Sequence, residues 1–435
     1  MVTCSNELNA GYAADGYARL SQTHIAVVVI TYMVGSLSLI NAIAGAYSEN
    51  LKLIVISGGL KSTDYGTDKL IHHSIGKRDK DQPSRMFSEV TCASVRLQDS
   101  VNCADTIDSV LSKCLQQSLP VYIEVPDNLV QLPQPAPRPL LLHPSPTTHL
   151  MALNDAISSI TECYLHARAP IIIVGGLARH WLSLDAMSSL ASTFGCPVFC
   201  LPDGKSLISE QHPLFSGVFW SIASDASIHS AVMGSDLWLT IGCRWTDSHT
   251  IGEFLDISKE QGRMIDIQEW FTTLPNGETC TSISATDVLY GLIGSDLPQQ
   301  IRVLTPSSKQ EKPQGDHTDG HSHIKRQHIL QGLQGFLGPR DILLADTGDS
   351  WFNAASIKLP EGTDFQIQIL YSSLGWGLPA TLGAQLARHD GRAVLLVGDG
   401  GFQMTSQELS TMIRLNLNPV IVVMNNCGYQ FEVRQ

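Results

Sequence analysis

Nine short apolar runs recur along the whole chain, separated by helix-like stretches, and they constrain the fold more than any other feature. They lie at residues 26–30, 53–57, 121–125, 170–176, 197–200, 236–242, 341–346, 393–400 and 419–426. Unbroken apolar runs, as opposed to alternating ones, are typical of parallel strands that are covered on both faces. Helices between such strands indicate βαβ units with right-handed crossovers. The sequence therefore predicts an α/β protein built of doubly wound parallel sheets.

Two stretches without strand or helix character divide these runs into three groups. The first, from Pro126 to Pro146, contains seven prolines, which remove backbone donors and fix φ. The second, at residues 297–323, is polar and has little to bury. We therefore predict three α/β domains, at residues 1–130, 148–298 and 324–435. Because the first opens without a strand and the last stops just beyond one, we expect both of these domains to be incomplete.

The charge and cysteine content exclude several kinds of partner and compartment. Acidic residues outnumber basic ones, 41 to 28, whereas nucleic acids and anionic membranes require a basic surface, so we expect neither as a partner. No apolar run approaches the roughly 20 residues of a membrane span, and the N-terminus lacks the features of a signal peptide. The ten cysteines form no C-x-x-C pair, which is typical of buried thiols in a reducing compartment. We therefore expect a cytoplasmic protein.

Polar residues and glycines follow the last two predicted strands where each one ends. Asp399, Gly400 and Gly401 follow the first of the two strands, and Asn426 and Gly428 follow the second. Parallel strands joined by one crossover end at the same sheet edge, so these groups should converge. A carboxylate, an amide oxygen and a carbonyl oxygen suit Mg²⁺, and glycines let a phosphate approach the backbone. The sequence thus predicts a Mg²⁺–diphosphate site with Asp399, Asn426 and the Gly428 carbonyl as metal ligands.

The helix between these two strands carries a start signal. Thr405 is followed three residues later by Glu408, the spacing of a capping box in which each side chain bonds the other residue's backbone N–H. The sequence therefore predicts that this helix begins just after Thr405.

The segment GDGGFQMTSQELSTMIRLNLNPVIVVMNN resembles the cofactor motif of thiamine-diphosphate enzymes, and most closely that of pyruvate and indolepyruvate decarboxylases. Five further segments are similar to that family in the expected order: NELNAGYAADGYARL, TYMVGSLSLINAIAGAYSENL, HHSIG, ADTGDSWFNA and LGWGLPATLGA. The resemblance implies thiamine diphosphate and Mg²⁺ as cofactors, a 2-keto acid as substrate, and non-oxidative decarboxylation to an aldehyde and CO₂. It also implies that the three domains are pyrimidine-binding, middle and diphosphate-binding domains.

The same resemblance implies catalytic roles for four residues. Glu7 matches the glutamate that hydrogen-bonds N1′ of the cofactor's aminopyrimidine and so favours the tautomer that removes the C2 proton. His72 and His73 match histidines that bind substrate and relay protons, although neighbours in sequence usually face different ways. Glu432 matches a glutamate beside the reacting carbon that acts as an acid. From the residues alone, Glu7 is a helix-start carboxylate favoured by the macrodipole, and Glu432 is a surface carboxylate.

Further residues match contacts to the cofactor. Leu374 matches the bulky aliphatic residue that keeps the cofactor bent, and core packing explains it equally well. Asp349, Ser372 and Ser373 match contacts to the aminopyrimidine, with a serine at 372 where relatives usually carry glycine. The other residues assigned to cofactor binding are Gly400, Gly401, Asn426, Cys427, Gly428, Tyr429, Gln430 and Phe431.

The resemblance also bears on assembly and on the limits of the chain. Relatives form the site between two subunits, so we expect a homodimer or homotetramer. They start earlier and continue beyond the glutamate matched by Glu432, so we expect truncation at both ends. Two alternatives stay open: a carboligase of the acetolactate synthase type, and a non-catalytic fragment of the decarboxylase family. The histidine pair and Glu432 favour the decarboxylase, because they fit a proton delivery that a carboligase does not need.

Overall fold

The computed structural model describes residues 1–133, 139, 147–252, 255–295, 297 and 324–429, and in this part of the chain three β-sheets alternate with helices. The helices are α1 (Glu7–Leu20), α2 (Val34–Ser48), α3 (Gln82–Ser88), α4 (Cys103–Gln117), α5 (Leu150–His166), α6 (Leu184–Phe194), α7 (Ala226–Met233), α8 (Asp247–Thr250), α9 (Ala285–Ile293), α10 (Arg326–Phe336), α11 (Asp349–Ala355), α12 (Gly377–Ala387), α13 (Asp399–Thr405) and α14 (Leu409–Arg414). The strands are β1 (Ile25–Ile30), β2 (Lys52–Gly59), β3 (Ala93–Arg96), β4 (Val121–Pro126), β5 (Pro170–Val174), β6 (Val198–Cys200), β7 (Phe215–Val218), β8 (Leu237–Ile241), β9 (Met264–Gln268), β10 (Phe271–Thr273), β11 (Thr279–Thr281), β12 (Ile342–Ala345), β13 (Asp364–Gln366), β14 (Ala393–Gly398) and β15 (Val420–Met424).

The predicted parallel α/β architecture is confirmed. The first sheet has the strand order β1-β2-β4-β3 and is entirely parallel. The middle sheet has the order β11-β10-β9-β8-β5-β6-β7, and its one departure is that β10 runs antiparallel to both β9 and β11. In the third sheet β12, β14 and β15 are parallel neighbours in that order. All nine apolar runs form strands. The described residues also form strands that contain no such run and were not predicted, namely β3, β7, β9, β10, β11 and β13.

The chain divides into two compact units. One contains the described residues of 1–145, 342–351 and 366–435, and thus the first sheet together with β12, β14 and β15. The other contains those of 146–341 and 352–365, with the middle sheet. Most of both predicted linkers lies outside the described residues. The three domain boundaries therefore stay predictions, and every candidate site residue that the structure describes belongs to the first unit.

Helices α1 and α12 join the two halves of the first unit by backbone contact. A Cβ added at Gly16 would lie 2.1 Å from the Ala380 carbonyl oxygen, and one at Gly383 would lie 1.8 Å from the Ala13 carbonyl oxygen. Only glycine allows so close an approach of two backbones. This crossing fixes α1, whose first residue is Glu7, against the half that carries the third sheet.

The expectation that every apolar strand is covered on both faces is wrong for β1. Its side chains alternate between buried and exposed along the strand. Val27 and Val29 are 53% and 63% exposed, whereas Ala26 and Val28 are buried. By contrast, β14 is buried at every position before its last residue. The first unit therefore has an uncovered apolar face on β1.

The cysteines and the helices bear on the expectations from composition. All ten cysteines are free thiols, and five of them are buried. Of the helices that the structure describes, none is long and apolar enough to cross a membrane.

Candidate active site

The carboxyl ends of β14 and β15 lie side by side. The two strands are parallel, and Gly398 at the end of β14 is paired with Met424 at the end of β15. Asp399 follows as the first residue of α13, and Asn426 lies in the turn after β15. The structure thus brings Asp399 and Asn426 to one sheet edge, as the positions of the strands predict.

Three oxygen-bearing groups converge at this edge. One atom of the Asn426 side-chain amide lies 2.7 Å from the Gly428 carbonyl oxygen and 3.1 Å from Asp399 Oδ1. With its nitrogen inward, the amide donates a hydrogen bond to both oxygens. With its oxygen inward, carboxylate, amide and carbonyl oxygens face one another, and only a cation between them makes this arrangement favourable. Mg²⁺ prefers such oxygen ligands, so the residues present fit this metal.

Two glycines at the start of α13 have no room for a side chain. A Cβ at Gly401 would lie 2.1 Å from Asp346 Oδ2, and one at Gly400 would lie 2.4 Å from the ring of Tyr429. Position 401 therefore requires glycine in this conformation, because Asp346 is buried, whereas a side chain at position 400 would displace the exposed Tyr429 ring. The contact of this backbone with a diphosphate stays a prediction.

Asp346 is a candidate site residue that sequence reasoning missed. It directly follows β12, is fully buried, and accepts hydrogen bonds from Gly375 N at 3.1 Å and Gly377 N at 2.8 Å. Burial raises the pKa of this carboxyl to about 6, although the backbone hydrogen bonds act in the opposite direction. Asp346 thus ties the segment that contains Leu374 to the end of β12. An acidic residue directly after a buried strand, as at Asp399, was the signal that could have found it.

The predicted capping box at Thr405 and Glu408 is wrong. The helix α13 begins at Asp399, ahead of both residues, and Thr405 Oγ1 donates to the Gly375 carbonyl oxygen at 2.9 Å. Glu408 is fully buried, and its Oε2 accepts from Asn9 Nδ2 on α1 at 2.8 Å. Both side chains are used in contacts between distant segments, which local spacing cannot reveal.

Glu7 begins α1 and is half-buried. Asn6 caps the helix, since its Oδ1 accepts from Asn9 N at 2.8 Å. Glu7 Oε1 lies 3.5 Å from the position of a Cβ on Gly35, a residue just beyond the carboxyl end of β1. The structure therefore places Glu7 at the carboxyl edge of the first sheet, and its catalytic role stays a prediction.

His72 and His73 lie in the connection between β2 and α3, and both are exposed. Their ring centroids are 4.6 Å apart, with the ring planes tilted by 53°. The expectation that the two side chains face different ways is therefore wrong. His73 has a φ of 61°, a left-handed conformation that is uncommon for a residue with a side chain.

The segment from Ser372 to Leu374 leads into α12 and is half-buried. Ser372 has a φ of 57°, in the left-handed region, which explains why glycine suits this position. Ser373 Oγ lies 2.5 Å from the hydroxyl oxygen of Tyr12 on α1. Asp349 is exposed at the start of α11. Contacts of these residues with a cofactor stay predictions.

The remaining predicted residues follow Asn426. Cys427 and Gly428 have φ values of 66° and 132° and form the turn after β15, and the Tyr429 ring packs over Gly400. Gln430, Phe431 and Glu432 lie outside the described residues, so their roles stay predictions.

Three domain families match this chain, and all three are domains of thiamine pyrophosphate enzymes. The N-terminal TPP binding domain of the thiamine pyrophosphate enzymes matches residues 1–83, and their central domain matches residues 157–275. The C-terminal TPP binding domain of the same enzymes matches residues 346–435. The chain therefore has the domain set of a thiamine-diphosphate enzyme, thiamine pyrophosphate being the same compound.

Curated relatives align along the whole chain. Pyruvate decarboxylase 2 of Arabidopsis thaliana is 36% identical over 448 residues, which cover 100% of this chain and 71% of the relative. Pyruvate decarboxylase 1 of Pisum sativum is 34% identical over 443 residues, with 100% and 73% covered. Pyruvate decarboxylase 1 of Oryza sativa subsp. indica is 35% identical over 444 residues, with 100% and 72% covered. The chain belongs to the family of thiamine-diphosphate-dependent 2-keto acid decarboxylases, as the resemblance of its motifs implied.

Asp346→Asn should lower the affinity for thiamine diphosphate about 10-fold, because a buried N–H that loses its acceptor costs about 1–3 kcal/mol. The amide keeps one acceptor oxygen, so one of Gly375 N and Gly377 N loses its partner. Calorimetric titration of the variant measures the change. Asp341→Asn, at the opposite end of β12, is the matched control and should bind normally. An unchanged affinity in Asp346→Asn would contradict a role for Asp346 in positioning the segment from Ser372 to Leu374, which is predicted to contact the cofactor.

Proposed function

We propose that this chain catalyses the non-oxidative decarboxylation of a 2-keto acid of the pyruvate type to an aldehyde and CO₂, with thiamine diphosphate and Mg²⁺. The observation that carries the proposal is the convergence of Asp399, Asn426 and Gly428 at one sheet edge. This convergence occurs in a chain that aligns along its full length with pyruvate decarboxylases. The names of these relatives make pyruvate the first substrate to test.

In this proposal, the third sheet holds the metal and the diphosphate. The Asp399 carboxylate, the Asn426 amide oxygen and the Gly428 carbonyl oxygen are the protein ligands of Mg²⁺. The remaining positions of the ion go to diphosphate oxygens and water, because Mg²⁺ prefers six oxygens. The backbone at Gly400 and Gly401 lies beside the diphosphate.

Thiamine diphosphate, when bound, supplies the carbon nucleophile and the electron sink that loss of CO₂ requires. Glu7 would hold the aminopyrimidine by a hydrogen bond and thereby set its tautomer. His72 and His73 would bind the substrate and relay protons, and Glu432 would act as an acid beside the reacting carbon. Leu374 would pack against the bound cofactor and support its conformation.

The proposal includes a second copy of the chain and a cytoplasmic location. Four apolar side chains of the first unit are exposed, namely Val27 and Val29 on β1 and Val34 and Leu37 on α2. A homodimer or homotetramer that covers such side chains would let Glu7 of one copy complete the cofactor site of another. The ten free thiols support a reducing compartment, such as the cytoplasm.

A direct assay tests the proposed reaction. The full chain with thiamine diphosphate and Mg²⁺ should convert pyruvate to acetaldehyde, measured by NADH consumption with alcohol dehydrogenase as coupling enzyme. Omission of Mg²⁺ should abolish the signal. Branched-chain and aromatic keto acids are tested in parallel, since pocket residues define substrate size. Acetolactate without free acetaldehyde would show a carboligase instead, and cofactor binding without any product would show a non-catalytic protein.

A further inference from the structure

The histidine loop, which we define as residues 60–80 between β2 and α3, has almost no core of its own. Every residue from 68 to 79 is exposed or half-buried, and this stretch contains His72 and His73. Its apolar side chains Leu70 and Ile75 are 71% and 55% exposed. Burial within the loop therefore cannot fix its conformation, and polar contacts must do so.

Tyr65 fixes the first end of the loop through contacts of its hydroxyl and its ring. Its hydroxyl donates to Glu124 Oε1 at 2.5 Å and accepts from Leu60 N at 3.1 Å. The Arg96 guanidinium carbon lies 3.8 Å from the centroid of the tyrosine ring, a cation–π contact. A Cβ added at Gly59 would lie 3.0 Å from the tyrosine hydroxyl oxygen, so the glycine at the end of β2 makes room for it. Three separate groups thus contact this one side chain, namely Glu124, Leu60 N and Arg96.

Glu124 connects the Tyr65 hydroxyl to the first sheet. The residue lies in β4, is 1% exposed, and its Oε2 accepts from the Tyr122 hydroxyl at 3.0 Å. Burial raises the pKa of Glu124. The same carboxyl therefore bonds one hydroxyl from the sheet interior and one from the loop. Since Glu124 lies near the carboxyl end of β4, the loop is tied to the sheet edge at which Glu7 also lies.

Lys80 fixes the second end of the loop by hydrogen bonds. Its side chain is buried, and Nζ donates to the Thr67 carbonyl oxygen at 2.6 Å. Its own carbonyl oxygen accepts from the buried Tyr32 hydroxyl at 2.8 Å. The exposed stretch that carries the histidines therefore lies between Thr67 and Lys80, which are joined by a hydrogen bond. Among the described loop residues, Tyr65 bonds Glu124 within β4, and Ser62 bonds Asn128 just after that strand.

We propose that Tyr65, anchored by Glu124, is a positioning residue that holds His72 and His73 at the carboxyl edge of the first sheet. The inference rests on the proposed function, in which these histidines bind the substrate. Tyr65 acts through the loop and not on the substrate itself. A displacement of about 1 Å in such groups can lower a catalytic rate about 100-fold, so a loop without a core requires such an anchor.

The test compares Tyr65→Phe with Tyr122→Phe in the full chain. Each substitution removes one hydroxyl from the same carboxyl, but only Tyr65 belongs to the loop. Trypsin cleavage after Lys77 and Arg78, followed by mass spectrometry, reports the opening of the loop without any reference to activity. Tyr65→Phe should be cleaved about 10-fold faster than the wild type, since loss of a hydrogen bond to a carboxylate is of that order. Tyr122→Phe should be cleaved at the wild-type rate.

The kinetic arm uses pyruvate and the coupled assay. Tyr65→Phe should lower kcat/KM about 10-fold to 100-fold with unchanged affinity for thiamine diphosphate, whereas Tyr122→Phe should retain both. Glu124→Leu, which removes the anchor from the strand side, should reproduce both effects of Tyr65→Phe. Unchanged cleavage in Tyr65→Phe, or faster cleavage with normal kcat/KM, would overturn the inference. If the wild type turns over no keto acid, the proposed function fails, and the role of Tyr65 in positioning the histidines for catalysis fails with it. Faster cleavage of Tyr65→Phe would then still show that Tyr65 holds the loop.

Discussion

Asp399→Asn should weaken Mg²⁺-dependent binding of thiamine diphosphate about 100-fold or more, equivalent to about 2.7 kcal/mol. In the proposed site, Asp399 is the charged ligand among the three oxygen groups that converge at the ends of β14 and β15. An asparagine there keeps the shape but removes the negative charge that holds a divalent cation. Without the cation, nothing at this edge would compensate the repulsion between the negative charges of the diphosphate and the oxygens of the protein. Calorimetric titration with thiamine diphosphate, with and without Mg²⁺, measures the loss.

Asp390→Asn is the matched control for this experiment. Asp390 lies before the amino end of β14, is 56% exposed in its side chain, and pairs with Arg388 at 3.5 Å. The same chemical change at the opposite end of the strand should leave cofactor binding unchanged. Retention of tight, Mg²⁺-dependent binding in Asp399→Asn would contradict the metal assignment.

Glu7→Gln should slow exchange of the C2 proton of bound thiamine diphosphate at least about 100-fold, with little loss of cofactor affinity, since a catalytic acid or base contributes about 10²–10⁴-fold. The neutral amide cannot set the tautomer of the aminopyrimidine as a carboxylate does. Glu7 Oε1 lies against Gly35 at the carboxyl edge of the first sheet, which leaves the carboxylate accessible from that edge. Proton NMR after quenched exchange in D₂O measures the rate on the full chain.

The competing interpretation of Glu7 predicts a different result. A carboxylate that only stabilises the first turn of α1 contributes about 0.3–1 kcal/mol to folding and nothing to proton exchange. Normal exchange in Glu7→Gln together with a slightly lower melting temperature would favour that interpretation. Glu89→Gln, an exposed glutamate at the end of α3, is the control and should exchange at the wild-type rate.

The positions of nine strands along the chain were predictable from the sequence. The convergence of Asp399 and Asn426 at the edge of the third sheet was predictable as well. The nine apolar runs form strands, as expected because burial on both faces selects continuous apolar residues, although β1 is covered on one face only. Asp399 and Asn426 were expected to meet because parallel strands joined by one crossover end at one edge. These inferences depend on local composition and on topology rules, both of which can be applied to a sequence.

Contacts between distant segments were not predictable. The spacing of Thr405 and Glu408 suggested a local cap, yet Glu408 is buried against Asn9, far away in the sequence. The place of Asp346 directly after a buried strand marks it as a candidate, but its partners are backbone N–H groups, which no sequence pattern records. The strands β10 and β11 were missed because they have three residues each and mix polar with apolar side chains.

The most direct test of the account is calorimetric titration of the purified 435-residue chain with thiamine diphosphate, with and without Mg²⁺. Folding is verified first by circular dichroism, so that a missing signal cannot come from an unfolded chain. We expect saturable binding that requires Mg²⁺, because the proposed metal ligands and the proposed diphosphate edge lie within one compact unit. Absence of binding to the folded chain, or equally tight binding without Mg²⁺, would contradict the proposed Mg²⁺–diphosphate site.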